Sequence, residues 1–109
     1  MDEMKDMFAE VRMMYGTEYL VIKLAEECSE LAQACAKLLS VWKYATSMRE
    51  EEAVEHIMEE IADVRNHMLG LEAALLDEYQ IESIGEIQKR KMERMHKRLI
   101  LGDMDEDRW

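Results

Sequence analysis

Apolar residues along the chain recur three and four apart, and four successive stretches of this kind predict α-helices. Met4, Met7, Phe8, Val11, Met14 and Tyr15 mark the first, over residues 2–15, with Gly16 as its C′ stop. Thr17 suits the N-cap of the second, which the spacing carries to about Tyr44. Its predicted packing seam is Leu24, Cys28, Leu31, Cys35 and Leu38. Tyr19-Leu20-Val21-Ile22 alone would suit a strand, but the helical period continues well beyond it. Thr46 to Glu50 form a connection in which Ser47 and Glu50 match a capping box. A third helix is predicted over about 48–79, with a seam of Ile57, Ile61, Val64, Met68, Leu71 and Leu75. Gly70 inside it marks either a close helix approach or a tolerated defect. Ser83 and Glu86 offer a second capping box for a last helix over about 84–100, closed by Gly102.

This succession predicts an all-α helical bundle with two long antiparallel helices plus shorter N- and C-terminal helices. Residues 1–102 make one domain, and residues 103–109 a short acidic tail. At 1.5 Å per residue the two long helices would reach ~40 and ~48 Å, more than the short ones can cover. Eleven methionines add flexible apolar surface. The expectation is therefore a homodimer or homotetramer, with long helices packing across a two-fold.

Composition narrows the function classes. There is no proline, and the formal charge of −11 opposes general affinity for nucleic acid polymers or anionic membranes. No apolar run approaches the roughly 20 residues of a membrane span. The first residues lack the basic start and apolar stretch of a signal peptide, so a cytoplasmic location is expected. Cys28 and Cys35 lie two helical turns apart, too far for a bridge within one helix, and read as small buried thiols.

Candidate chemistry begins with two echoing segments, Leu24-Ala25-Glu26-Glu27-Cys28-Ser29-Glu30-Leu31 and Ile57-Met58-Glu59-Glu60-Ile61-Ala62-Asp63-Val64. Residues three apart are neighbours on a helix, so Glu27/Glu30 and Glu60/Asp63 each present two carboxylates at the edge of a seam. A single Glu-x-x-Glu is ordinarily part of a solvated polar face. Two pairs with the same seam offset on consecutive long helices point further, to four acids converging on a hard cation such as Mg²⁺ or Mn²⁺. Lys89, Arg90, Lys91, Arg94, Lys97 and Arg98 concentrate positive charge in the last helix. Most should be solvated or paired with acids, with one or two free to meet phosphate. His67, four residues after Asp63, could contact a ligand; His56 reads as a surface residue. Glu93-Arg94-Met95-His96 has the Glu-x-x-His spacing of di-iron bundles, which take that motif from two helices where this chain offers one. Trp42 is a candidate surface for stacking a base. No glycine-rich phosphate loop occurs.

The residues resemble the MazG-like all-α nucleoside triphosphate pyrophosphohydrolases. The family pattern Glu-Glu-x-x-Glu, spacer, Glu-x-x-Asp reads here as Glu26-Glu27-Cys28-Ser29-Glu30 and Glu60-Ile61-Ala62-Asp63. Leu31-Ala32-Gln33-Ala34 is also similar. In the last helix Lys91-Met92 and Arg98 fit, while Met95 stands where the family has Asn. The resemblance spans about residues 20–98. It implies Mg²⁺-dependent hydrolysis of a nucleoside triphosphate to the monophosphate and pyrophosphate, in nucleotide-pool control or house-cleaning. By the same likeness Glu27, Glu30, Glu60 and Asp63 would hold the metal, Glu26 in preference to Glu59 would orient or deprotonate water, and Lys91 and Arg98 would bind phosphate. Asp63-Val64-Arg65-Asn66-His67 also resembles the Asp-Leu-x-x-His of phosphoribosyl-ATP pyrophosphohydrolases. A different class, a non-enzymatic helical oligomerisation module with solvated, replaceable acids, is the remaining alternative.

Overall fold

A computed structural model describes residues 2–44, 46–81 and 84–102. Among them are three α-helices and no strand: α1 (Asp2–Lys43), α2 (Glu50–Tyr79) and α3 (Ile84–Leu99). The expected all-α class holds. The tail 103–109 and the capping residue Ser83 lie outside the described residues. Contacts group the chain into two compact units, Met1–Ala74 and Leu75–Trp109.

In the first unit, α1 is two helical arms, residues 2–15 and 17–43, joined at Gly16. Its φ of 87° and ψ of 166° are non-helical and open to glycine alone. The second arm runs antiparallel to α2. Trp42 donates a hydrogen bond from Nε1 to Glu50 Oε2 at 2.7 Å across the connection, while Glu27 and Glu30 lie beside Glu60 further along. On that register a straight α1 would carry Phe8 far past Gly70. Instead Phe8 meets His67, ring centroids 5.8 Å apart and edge-on, and lies against Gly70. The break at Gly16 therefore folds the first arm back beside α2.

The observed seam differs from the predicted one by a turn of the helix face. On the second arm of α1 the seam follows Leu20, Leu24, Glu27, Leu31, Ala34, Leu38 and Val41, all buried or half-buried, with Thr17, Lys23 and Ser40 half-buried beside it. On α2 it follows Ala53, Ile57, Glu60, Val64, His67, Leu71 and Ala74, flanked by buried Gly70 and by half-buried His56, Ile61, Leu69, Glu72, Leu75 and Leu76. Both sets step four and three alternately, the repeat of helices packed side by side. Cys28 and Cys35, expected on the seam, are exposed, and Met68 is 46% exposed. Among the described residues the deepest positions are small: Ala34, Ala53 and Ala74 leave no more than 1% of their surface exposed, and Leu20 is the one large side chain so enclosed.

The start of α2 also shifts. The Arg49 amide donates to Glu52 Oε1 at 3.2 Å, and the Arg49 carbonyl accepts from the Ala53 amide at 3.1 Å. Arg49 is thus the N-cap and Glu52 the reaching-back residue, in place of Ser47 and Glu50. Glu50, Glu51 and Glu52 put three carboxylates on the positive end of the helix dipole.

Gly70 is a close approach, not a defect. A Cβ there would sit 2.7 Å from Phe8 Cγ, inside van der Waals contact. Gly70→Ala should therefore lose about 1–3 kcal/mol by overpacking, outweighing the ~1 kcal/mol that alanine gains in a helix. Urea denaturation checks this. The double variant Phe8→Ala/Gly70→Ala should show that the two changes are not additive, since the overlap needs both groups.

In the second unit the last turn of α2 ends with Gln80 at a φ of 52°, its amide bonded to the Leu76 carbonyl at 3.1 Å. α3 follows, and none of its residues is fully buried. No described helix is long and apolar enough to cross a membrane.

Candidate metal centre

Glu27 and Glu60 occupy seam positions on facing helices, so packing the apolar repeat around them forces two carboxylates into one layer. Glu30, one turn after Glu27, turns in from the exposed edge. One carboxylate oxygen from each of Glu27, Glu30 and Glu60 lies within 4.8 Å of the others. Oxygens on one Mg²⁺ are about 2.9 Å apart when adjacent and about 4.1 Å when opposite, so the three carboxylates would have to draw inward to share one ion.

Two oxygens in the cluster are conspicuous. Oε1 of Glu27 and Oε1 of Glu60 are buried without a hydrogen-bond partner among the described residues. A buried carboxylate oxygen left unpaired costs stability, and like charges beside it add to that cost. The Glu27 carboxyl is accordingly pushed above its usual range, first by loss of solvent, then by the charges of Glu30 and Asp63. His67 and Lys23 act the other way. A fold that carries such a cluster on its main seam matches a site completed by a cation.

The other predicted residues fall around this core. Asp63 is exposed and not one of the three grouped acids, although its charge reaches Glu27. Glu26 is exposed and paired with Lys23, Nζ to Oε1 at 2.9 Å. That hydrogen bond is the main reason the Lys23 ammonium holds its proton to higher pH than usual. His67 is half-buried in the seam, with Nδ1 2.8 Å from the Asp63 carbonyl. If Nδ1 carries the proton it donates there, leaving Nε2 as the nitrogen available to a ligand. Trp42 keeps its indole 60% exposed while its N–H is committed to Glu50. Lys91 and Arg98 belong to the second unit. Lys91 is exposed along a shallow groove with Gln88, Met92 and Met95; Arg98 is half-buried and engaged by other groups.

His56 is the residue the sequence undervalued. It is not a free surface group: Nε2 lies 3.3 Å from Glu60 Oε2. The signal was its place one helical turn before Glu60, on the same face. Protonated, His56 is a cation for Glu60; neutral with its proton on Nε2, it can donate a hydrogen bond to Glu60 Oε2.

Comparisons with protein-family models, with curated proteins and with solved structures find no match to this chain. The site's chemistry therefore rests on its own geometry. Three carboxylates supply hard, anionic oxygen ligands, a set suited to Mg²⁺ or Mn²⁺ and poorly suited to softer metals.

Proposed function

We propose that the protein is a Mg²⁺-dependent nucleoside triphosphate pyrophosphohydrolase, with Glu27, Glu30 and Glu60 as the direct metal ligands and Asp63 at the margin of the site. The observation that carries this reading is the pair of unpartnered buried oxygens, one from each facing helix, within the three-carboxylate cluster. Bound there, Mg²⁺ would neutralise charge on phosphate oxygens and on the departing pyrophosphate. Attack of water on the α-phosphorus forms a P–O bond and breaks the bond to the α–β bridging oxygen. The electron pair leaves with pyrophosphate, and the water proton passes to a nearby base. Glu26 stands one turn before Glu30, and releasing its oxygen from Lys23 would free it for that role. The nucleotide-pool role and the kind of triphosphate follow the resemblance of the Glu-Glu-x-x-Glu and Glu-x-x-Asp segments.

Incubating the purified protein with a panel of NTPs and dNTPs plus Mg²⁺, with phosphoribosyl-ATP alongside, and measuring pyrophosphate tests this directly. Pyrophosphate and a monophosphate should form in equal amounts, and EDTA should stop their formation. Glu30→Gln or Asp63→Asn should abolish turnover and leave the helical circular dichroism intact. Undiminished activity in either variant would take that acid out of the site, and no pyrophosphate from any substrate would count for the non-enzymatic alternative.

A further inference from the structure

On α2, His56 lies one helical turn from two acids, Glu52 behind it and Glu60 ahead. Glu52 is already committed: its Oε1 accepts from the Arg49 amide at 3.2 Å and lies 3.7 Å from Arg49 Nε. The imidazole turns the other way and brings Nε2 to 3.3 Å from Glu60 Oε2. The imidazolium and the neutral tautomer protonated on Nε2 both carry an N–H at that atom, so either can engage the carboxylate.

The two oxygens of Glu60 therefore have different surroundings, although the side chain as a whole is only 12% exposed. Oε2 meets His56, while Oε1 is buried with no hydrogen-bond partner among the described residues. Glu60 also stands in one cluster with Glu27 and Glu30. One of its oxygens is held from outside, and the other is left without a partner.

Divalent cations differ in what they ask of such a group. Mg²⁺ takes about six ligands at about 2.1 Å in a near-ideal octahedron and keeps several of its waters, so one oxygen from a carboxylate suffices. Ca²⁺ takes roughly six to eight oxygens at about 2.3–2.6 Å and often fills its larger sphere with both oxygens of one carboxylate. We propose that His56 is a positioning residue for the metal centre: by engaging Oε2 it leaves Glu60 to ligate through Oε1 alone, and so favours Mg²⁺ over Ca²⁺. Holding the carboxylate before the ion arrives also reduces the freedom lost on binding. The inference rests on the metal centre of the proposed function and not on hydrolysis, since it concerns which ion binds.

Competition against Mn²⁺ tests this without nucleotide or turnover. The paramagnetic resonance of free Mn²⁺ falls as the ion binds, and Mg²⁺ or Ca²⁺ restores it by displacement, so the two titrations give the preference between them. His56→Met and His56→Gln introduce unbranched, helix-forming side chains of similar length, of which glutamine alone offers an N–H. Outer partners of metal ligands are worth about 10- to 100-fold in affinity, so His56→Met should lower the preference for Mg²⁺ over Ca²⁺ by about 10-fold or more. His56→Gln should restore most of it, and circular dichroism should show intact helices in both. His56→Ala, which trims the same half-buried side chain, gives the same reading should His56→Met not fold. An unchanged preference in His56→Met, or an equal loss in both variants, would overturn the role of His56 and leave the metal centre standing. Mn²⁺ that stays free with the unaltered protein, or that binds Glu27→Gln equally well, would overturn both.

Discussion

Glu27→Gln should remove activity and, in the absence of divalent cations, make the protein harder to melt. The two effects arise from the same oxygen. Oε1 of Glu27 is buried without a partner, and the carboxylate stands beside Glu30 and Glu60. Glutamine keeps the shape, removes one negative charge, and offers an N–H₂ that can donate to the neighbouring carboxylates. Relieving an uncompensated buried charge is worth on the order of 1 kcal/mol or more, about 4 °C in melting temperature for a domain near this size. Losing a direct ligand should lower kcat/KM by at least about 100-fold, since even outer-shell partners of metal ligands cost 10- to 100-fold. Differential scanning calorimetry with EDTA and with Mg²⁺ reads both sides. The unaltered protein should gain stability on adding Mg²⁺, and the variant should not. Glu26→Gln is the contrast: its partner is Lys23 at the exposed surface, where such pairs contribute about 0–1 kcal/mol, so no gain is expected. A loss of stability in cation-free Glu27→Gln would show that the carboxylate has a structural partner and would remove the basis of the metal centre.

The helices were readable because long periodic segments declare themselves, and Gly16, Tyr79 and Gly102 punctuate them where expected. The face was not. Two stripes one residue apart, Leu20 to Val41 and Val21 to Trp42, share the same seven-residue repeat, and periodicity alone cannot say which is buried. The four-and-three spacing through Leu24, Leu31 and Leu38 placed Cys28 and Cys35 inside. Placing Glu27 and Glu60 only at the edge followed from the rule that acids avoid cores. Both readings fail here because the seam itself carries the acids Glu27 and Glu60. Three of the four predicted ligands converge because Glu27, Glu30 and Glu60 follow from seam geometry. Asp63 and Glu26 sit on the turn that faces water, where Lys23 was close enough to claim Glu26. Gly70 was ambiguous for a different reason: its neighbour, Phe8, reaches it only because the chain reverses at Gly16.

The raised Glu27 carboxyl gives the cluster a distinctive dependence on pH. In the native protein this group binds its proton more tightly than the ordinary value of 4.5, because of burial and of Glu30 and Asp63 beside it. Between those two values the native state holds more proton than the unfolded chain, so stability must fall as pH rises. The contribution of protonated Glu27 is complete below about pH 4.5 and is lost as pH climbs through its native value, at a slope of up to about 1.4 kcal/mol per pH unit. Cation-free protein should therefore grow more stable on mild acidification relative to Glu27→Gln, which lacks the group. Divalent cation reverses the sign. Mg²⁺ needs the ionised carboxylate, so its binding releases a proton and its stabilising effect should grow with pH across the same window. Urea denaturation of both proteins from weakly acidic to neutral pH, with EDTA and with Mg²⁺, measures the difference. The curves for unaltered protein should diverge between the two additions as pH rises, and those for Glu27→Gln should stay together. Parallel curves in the unaltered protein would mean that the three acids do not share an ion.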